Sequence, residues 1–205
     1  MLRIPQGPLS LYGQDGRRKY LTPSERLRFI AAAERHQRPE VASLALTLAY
    51  TGCRISEALA LQVQNIELDE AFVSIRSLKK RGLIVIREVP IPLDLLRRLA
   101  QTHQLRHRPA QARLWSWSRG RAWWLIAELM RNAAIPPGAH ATAKGLRHGF
   151  AIQALRSGVP INLVRRWLGH ASLATTEIYL EAIGNEEREF AARMWNEPAR
   201  SENAP

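Results

Sequence analysis

Residues 144–182 read KGLRHGFAIQALRSGVPINLVRRWLGHASLATTEIYLEA, and this stretch decides the fold and the chemistry to look for. It brings Arg147, His170 and Tyr179 into one compact C-terminal block. Upstream, Thr51-Gly52-Cys53-Arg54-Ile55-Ser56-Glu57 supplies a second arginine, Arg54. Two guanidiniums, a histidine and a phenol can act together on a phosphodiester. The arginines can hold both non-bridging oxygens and offset charge in a pentacoordinate transition state. The phenol can serve as a nucleophile and form a covalent phosphotyrosine.

The composition bounds the partner. Lys and Arg outnumber Asp and Glu by 30 to 18, a formal charge of +12, and the pI is about 11.1. Such a chain favours a polyanion, and nucleic acid is the first candidate. No apolar run approaches the ~18 residues of a membrane span, so no membrane partner is expected. MLRIPQGPLS at the start carries one charged side chain and no long apolar stretch, so no signal peptide is expected either. The single cysteine, Cys53, excludes an internal disulfide and a cysteine-based zinc site. With no carboxylate cluster of metal-binding type, neither a metal nor another cofactor is expected. The chain reads as cytoplasmic.

At 205 residues, 46% of them hydrophobic, the chain can bury one large core. Residues 1–20 hold several Gly and Pro and then Arg17, Arg18 and Lys19, which reads as a flexible basic arm. Thr22-Pro23-Ser24-Glu25 is a helix start, with a Thr cap, Pro in the first turn and an acid after it. Pro39 opens a second helix that Gly52 ends, and Ser56–Leu61 reads as a short third. The segment 71–92, AFVSIRSLKKRGLIVIREVPIP, is rich in Val and Ile and broken by Lys79-Lys80-Arg81-Gly82, which predicts an antiparallel hairpin with a basic tip. Pro92 opens a helix to about His103, residues 104–113 form a basic loop, and 120–133 an amphipathic helix. After the Pro136-Pro137-Gly138 break, helices are expected near 144–157, 160–168, 173–182 and 185–196, with a disordered tail at 197–205. The fold class is therefore α+β, mainly helical, with a small antiparallel sheet, and 21–196 reads as one domain.

Singly, each chemical residue has an ordinary explanation. Arg54 could be a capping or ion-pair residue, and Tyr179 a half-buried helix tyrosine. His170 could cap the helix that ends at Leu168-Gly169. Arg147 and His148 could belong to a solvated basic face. Cys53 fits a small core residue. Of the six tryptophans, only Trp115 and Trp117 are candidates for base stacking.

Together the pieces are harder to set aside. TGCRISE, a basic hairpin, Leu146-Arg147-His148-Gly149-Phe150-Ala151, and Leu168-Gly169-His170 followed by Thr176 and Tyr179 occur in that order on a basic chain. Here the sequence resembles the tyrosine recombinase (phage integrase) family over about residues 20–195. The resemblance implies that Arg54 and Arg147 clamp the scissile phosphate, that His170 hydrogen-bonds it, and that Tyr179 is the nucleophile. It implies that Lys79, or Lys80 in the other hairpin register, protonates the leaving 5′-oxygen, and that Glu57 supports the first arginine. Arg17, Arg18, Lys19, Lys80 and Arg81 are expected DNA contacts.

Two positions depart from the family pattern. A histidine usually stands three residues before the second arginine, and here that place is Lys144, whose ammonium is a poor base. His148 adjoins Arg147, but on a helix it is expected to point to another face, so it is not given the missing role. About twenty residues precede the matching segment here, so the separate helical domain usual in the family is not expected. The resemblance implies a site-specific recombinase or integrase of a mobile element, working through a 3′-phosphotyrosine on double-stranded DNA. It further implies a homotetramer on DNA, a monomer or weak oligomer when free, an accessory DNA-binding protein, and the nucleoid of a bacterial cell as the place of action. Two other readings use the same scaffold: a DNA-binding protein with weakened catalysis, and a type IB topoisomerase-like enzyme that relaxes DNA.

Overall fold

Thr22 opens the first helix, α1 (Pro23–Glu34), as its sequence signal requires. In this computed structural model, which describes residues 10–77 and 85–180, Thr22 Oγ1 accepts from the Glu25 N–H. The Glu25 carboxylate accepts in return from the Thr22 N–H, so two orphan donors of the first turn are satisfied. Helix α2 (Pro39–Thr51) is buried along most of its length and forms the axis of the main core. It stops at Gly52, whose φ of +60° is left-handed. A side chain there would also overlap the Phe150 ring, so glycine is required twice over. The turn that follows delivers Arg54 to the start of α3 (Ile55–Ala58).

Strands β1 (Ile66–Glu67), β2 (Phe72–Ser77) and β3 (Val85–Pro90) form an antiparallel sheet in the order β1-β2-β3. The expected hairpin is β2–β3, in a register that runs from Phe72↔Pro90 to Ser77↔Val85. The two-residue β1 is too short for a sequence period to reveal. Lys79, Lys80 and Arg81 lie outside the described residues.

Helices α4 (Leu93–His103), α5 (Arg119–Asn132), α6 (Ala143–Arg156) and α7 (Ile161–Leu168) fall within a few residues of their expected places. The helix expected at 173–182 is shorter. Helix α8 spans Ala174–Glu177, and Tyr179 stands in the turn beyond it. The helix expected at 185–196 lies outside the described residues, as does the tail. The architecture is mainly helical with one small antiparallel sheet, the expected class.

The apolar side chains gather in two clusters. The larger joins α1, α2, α4 and α5 to one face of the sheet, and the smaller joins α6 and α7 to Leu11 and Tyr179. Residues 10–20, within the segment read as a flexible arm, lie packed on the domain. Leu11 is fully buried, Lys19 N–H donates to Leu11 O, and Tyr12 bridges Arg18. Arg18 is committed as well, because its guanidinium donates to both Glu25 oxygens at 2.6 and 2.7 Å. Arg17 stays exposed. Trp115 is not free to stack on a base: it is buried, and its Nε1–H donates to Glu40 O at 2.9 Å. Trp117 is half-buried against Arg38.

Candidate active site

Arg54, Lys144, Arg147, His170 and Tyr179 line one cleft of about 640 Å³, together with His148 and, from α5, Arg119 and Trp123. Two glycine turns and one helix bring them together. The left-handed Gly52 aims Arg54 inward, the first half of α6 carries Lys144 and Arg147, and the end of α7 turns back toward the site. That end is Gly169, with φ +66°. Gly169 N–H and His170 N–H close the last turn on Arg166 O and Arg165 O, and His170 emerges at the cleft.

The two arginines are held differently. Arg54 keeps about a third of its side chain exposed and gives Nη1–H to Glu57 Oε1 at 2.8 Å. Arg147 is buried, with Nη1–H donating to Gly52 O at 2.8 Å and Nη2–H to Leu168 O at 2.7 Å. Burial and the neighbouring Arg54 draw the Arg147 pKa down to about 10, so it remains cationic at neutral pH. Each guanidinium keeps further N–H donors for a bound anion.

Behind Arg54 lies a third guanidinium that the sequence reading did not single out. Arg87 on β3 donates to Glu57 Oε2 at 2.6 Å and, through Nε–H, to Trp167 O at 2.6 Å. Both Arg87 and Glu57 are nearly inaccessible to solvent. Burial alone would raise the Glu57 carboxyl, but the hydrogen bonds and charges of Arg87 and Arg54 outweigh it and hold the pKa low. One signal was present in the sequence: Arg87 shares the inward parity of β3 with buried Val89.

Tyr179 is 1% exposed. Burial lifts its phenol to about 12, against the lowering pull of Arg147 and Arg54. Its ring stacks on His170, with centroids 6.2 Å apart and planes 15° from parallel. His170 Nδ1 lies 3.0 Å from Thr176 Oγ1. Burial and then the two arginines push this imidazole down to about 3, so it is neutral. Lys144 is exposed in the first turn of α6.

The expectation that His148 points away from the site is corrected. His148 Nδ1 lies 3.0 Å from the Tyr179 hydroxyl, and the side chain is buried. The expectation assumed a helix with one wet face. Residues 145–152 of α6 are buried all round, so neighbours ~100° apart on the helix both meet protein. Arg147 meets the carbonyls of Gly52 and Leu168, and His148 meets Tyr179.

Among the described residues there is no group of three or more His, Cys, Asp or Glu placed to hold a metal ion. No described helix is long and apolar enough to cross a membrane.

A mainly helical domain with one small antiparallel sheet is the fold of tyrosine recombinase catalytic domains. The sequence pattern of the phage integrase family matches residues 19–185, and the chain belongs to that family. Tyrosine recombinase XerA of Pyrococcus furiosus is 31% identical over 159 residues, which is 73% of this chain and 53% of that protein. The crystal structure of XerA recombinase superposes with a TM-score of 0.71 at 28% identity, over 87% of this chain and 65% of that one. XerH recombinase bound to its difH substrate before cleavage shares the fold, with a TM-score of 0.70 at 20% identity over 90% of this chain and 60% of that one. The chain spans about half the length of the curated relatives it matches.

Proposed function

We propose that this chain is the catalytic part of a DNA strand-exchange enzyme. Arg54 and Arg147 clamp a scissile phosphate, His170 hydrogen-bonds it, and Tyr179 attacks the phosphorus. A 3′-phosphotyrosyl bond forms and a 5′-hydroxyl leaves, its proton supplied by Lys79 or Lys80. A 5′-hydroxyl from another strand then reverses the step. The bond energy stays in the covalent link, so no nucleotide cofactor is consumed. The observation that carries this reading is the convergence of Arg54, Arg147, His170 and Tyr179, drawn from a span of more than a hundred residues, on one basic cleft.

Lys144, exposed on the same cleft, acts in this reading as a charge on the phosphate or the tyrosine oxygen. Arg17, together with Lys80 and Arg81 from the hairpin, contributes phosphate contacts, and the +12 charge makes that binding salt-dependent. The substrate is double-stranded DNA, a reading supported by the Tn1549 transposon integrase, which has the same fold and is in complex with transposon right end DNA. The working assembly is a homotetramer on two DNA sites. Residues 184–197, GNEEREFAARMWNE, have the amphipathic pattern of a helix that docks on a neighbouring subunit.

Incubation with nicked duplex DNA and a denaturing gel tests the reading. The wild-type protein leaves a denaturant-resistant DNA adduct. Tyr179→Phe leaves none while still shifting DNA in a native gel. An adduct that persists in the Phe variant removes Tyr179 as nucleophile. DNA binding with no wild-type adduct on any duplex favours the non-catalytic scaffold. Relaxed plasmid without recombinant product favours a topoisomerase-like activity.

A further inference from the structure

We infer that His148 is a catalytic residue that takes the hydroxyl proton of Tyr179 as the tyrosine attacks. The inference rests on the strand-exchange reading and fills the vacancy that Lys144 leaves in it.

Few groups can take a proton from the Tyr179 oxygen. Arg54 and Arg147 have no lone pair to offer, and a lysine ammonium has none either. His170 is parallel to the Tyr179 ring but displaced from it, and its Nδ1 is engaged with Thr176 Oγ1. His148 Nδ1 sits 3.0 Å from the hydroxyl, within the reach that proton transfer needs. Among the described residues it is the one side chain hydrogen-bonded to that oxygen.

A second observation is independent of that distance. His148 Nε2 is buried and has no hydrogen-bond partner among the described residues. An orphaned buried polar atom costs more than a single hydrogen bond returns. A residue that merely held the phenol in place would carry no second nitrogen to strand. The orphaned atom makes sense if the imidazole is kept for its lone pair at Nδ1.

The electrostatics describe a resting state. Burial, then Lys144 and Arg147 on α6 and Lys19 on the N-terminal segment, push His148 down to about 3. Burial lifts Tyr179 to about 12. Without DNA the proton therefore stays on the phenol, and the nucleophile is idle. An anionic phosphodiester in the cleft counters the cationic fields of Lys144 and Arg147 that depress the imidazole. The proton then passes to the Nδ1 lone pair while the Tyr179 oxygen bonds to phosphorus and the P–O5′ bond breaks. The departing 5′-oxygen takes its own proton from a lysine ammonium or water. Religation runs the same transfers backward, returning the proton from His148 to Tyr179.

The test uses a pool of nicked duplexes of randomised sequence, from which the wild-type protein captures its own substrate covalently. Adduct formation on that substrate is then timed for the wild type, His148→Asn and His148→Phe. Asparagine places a hydrogen-bonding oxygen near the Nδ1 position but cannot take a proton at working pH. Both variants are expected to slow by ~10²-fold or more, with unchanged DNA retention in a native gel. The loss must persist on a substrate whose 5′-bridging oxygen is replaced by sulfur, since that leaving group needs no proton. A wild-type rate in His148→Asn overturns the inference, as does recovery on the sulfur substrate, which would make His148 a helper of the leaving group. In the unaltered protein, ¹⁵N NMR should find Nδ1 bare and Nε2 carrying hydrogen, and the reverse tautomer also overturns it. Absence of any wild-type adduct would instead sink the strand-exchange reading, and the inference would fall with it.

Discussion

Arg87 Nη2 lies 2.6 Å from Glu57 Oε2, in a pocket where neither side chain is more than 4% exposed. The other oxygen of the same carboxylate faces Arg54 at 2.8 Å. One buried acid is thus shared between a guanidinium at the cleft and one behind it. Removing one partner of a buried pair typically costs ~3–5 kcal/mol because the other charge is left without compensation. Arg87→Met is expected to lose that much in urea unfolding, and Glu57→Gln in the Met background to recover part of it. A stability unchanged by Arg87→Met would mean the pair adds nothing to the fold.

Arg54 and Arg147 should separate rate from stability. Each alanine variant is expected to slow DNA cleavage by at least ~10²–10³-fold, the usual loss for one charge-stabilising donor. Arg147→Ala should also destabilise the fold by ~1–3 kcal/mol, because the carbonyls of Gly52 and Leu168 lose their donors. Arg54→Ala exposes no comparable carbonyl and should unfold closer to wild type. Single-turnover cleavage and urea melts on both variants check this, and near-normal cleavage in either removes that arginine from the chemistry.

Lys144→Arg should keep substantial cleavage activity, since the charge on the cleft survives, and Lys144→Ala should lose much of it. The measurement is the rate of adduct formation. A wild-type rate in the alanine variant would make Lys144 a solvated helix-start residue.

Acid should loosen the fold in a defined window. Burial holds His103 down at about 4 and His148 and His170 at about 3. The unfolded chain binds protons on these rings near pH ~6.5. Below that pH the unfolded state takes up more protons than the folded one. The stability these rings contribute is therefore full above ~6.5 and lost as pH falls toward 3–4. Each ring contributes up to about 1.4 kcal/mol per pH unit there, and about 1 kcal/mol moves Tm by ~2–4 °C in a chain of this size. Calorimetry between pH 7.5 and 4.5 should show Tm falling, and His103→Gln, which can keep the bond to Ser43, should flatten the fall. A Tm constant over that range would contradict neutral burial of these histidines.

Much of the site could be read along the chain because its spacing is local. Arg54 follows a helix stop, Arg147 sits in the first turns of a helix, and His170 follows a glycine cap. Each is placed by backbone signals within a few residues. His148 and Arg87 were harder to see because their roles depend on partners far away in sequence, Tyr179 and Glu57. The assumption of a one-faced helix failed for α6, which is enclosed on all sides. Trp115 was misjudged for a related reason: its indole N–H finds Glu40 O, 75 residues away, and that contact rather than composition buries it. In the N-terminal segment, Gly and Pro content suggested freedom, but Leu11 finds a slot against α6 and α7.

The bonds of Arg147 have a mechanical side. Gly52 adjoins the larger apolar cluster and Leu168 belongs to the smaller, and one rigid, planar fork is riveted to a carbonyl on each. A flat plate fixed at two points tolerates neither sliding nor twisting between the bodies it joins. The side chain that would grip the phosphate therefore also ties the cluster that holds Tyr179 to the cluster that borders Arg54.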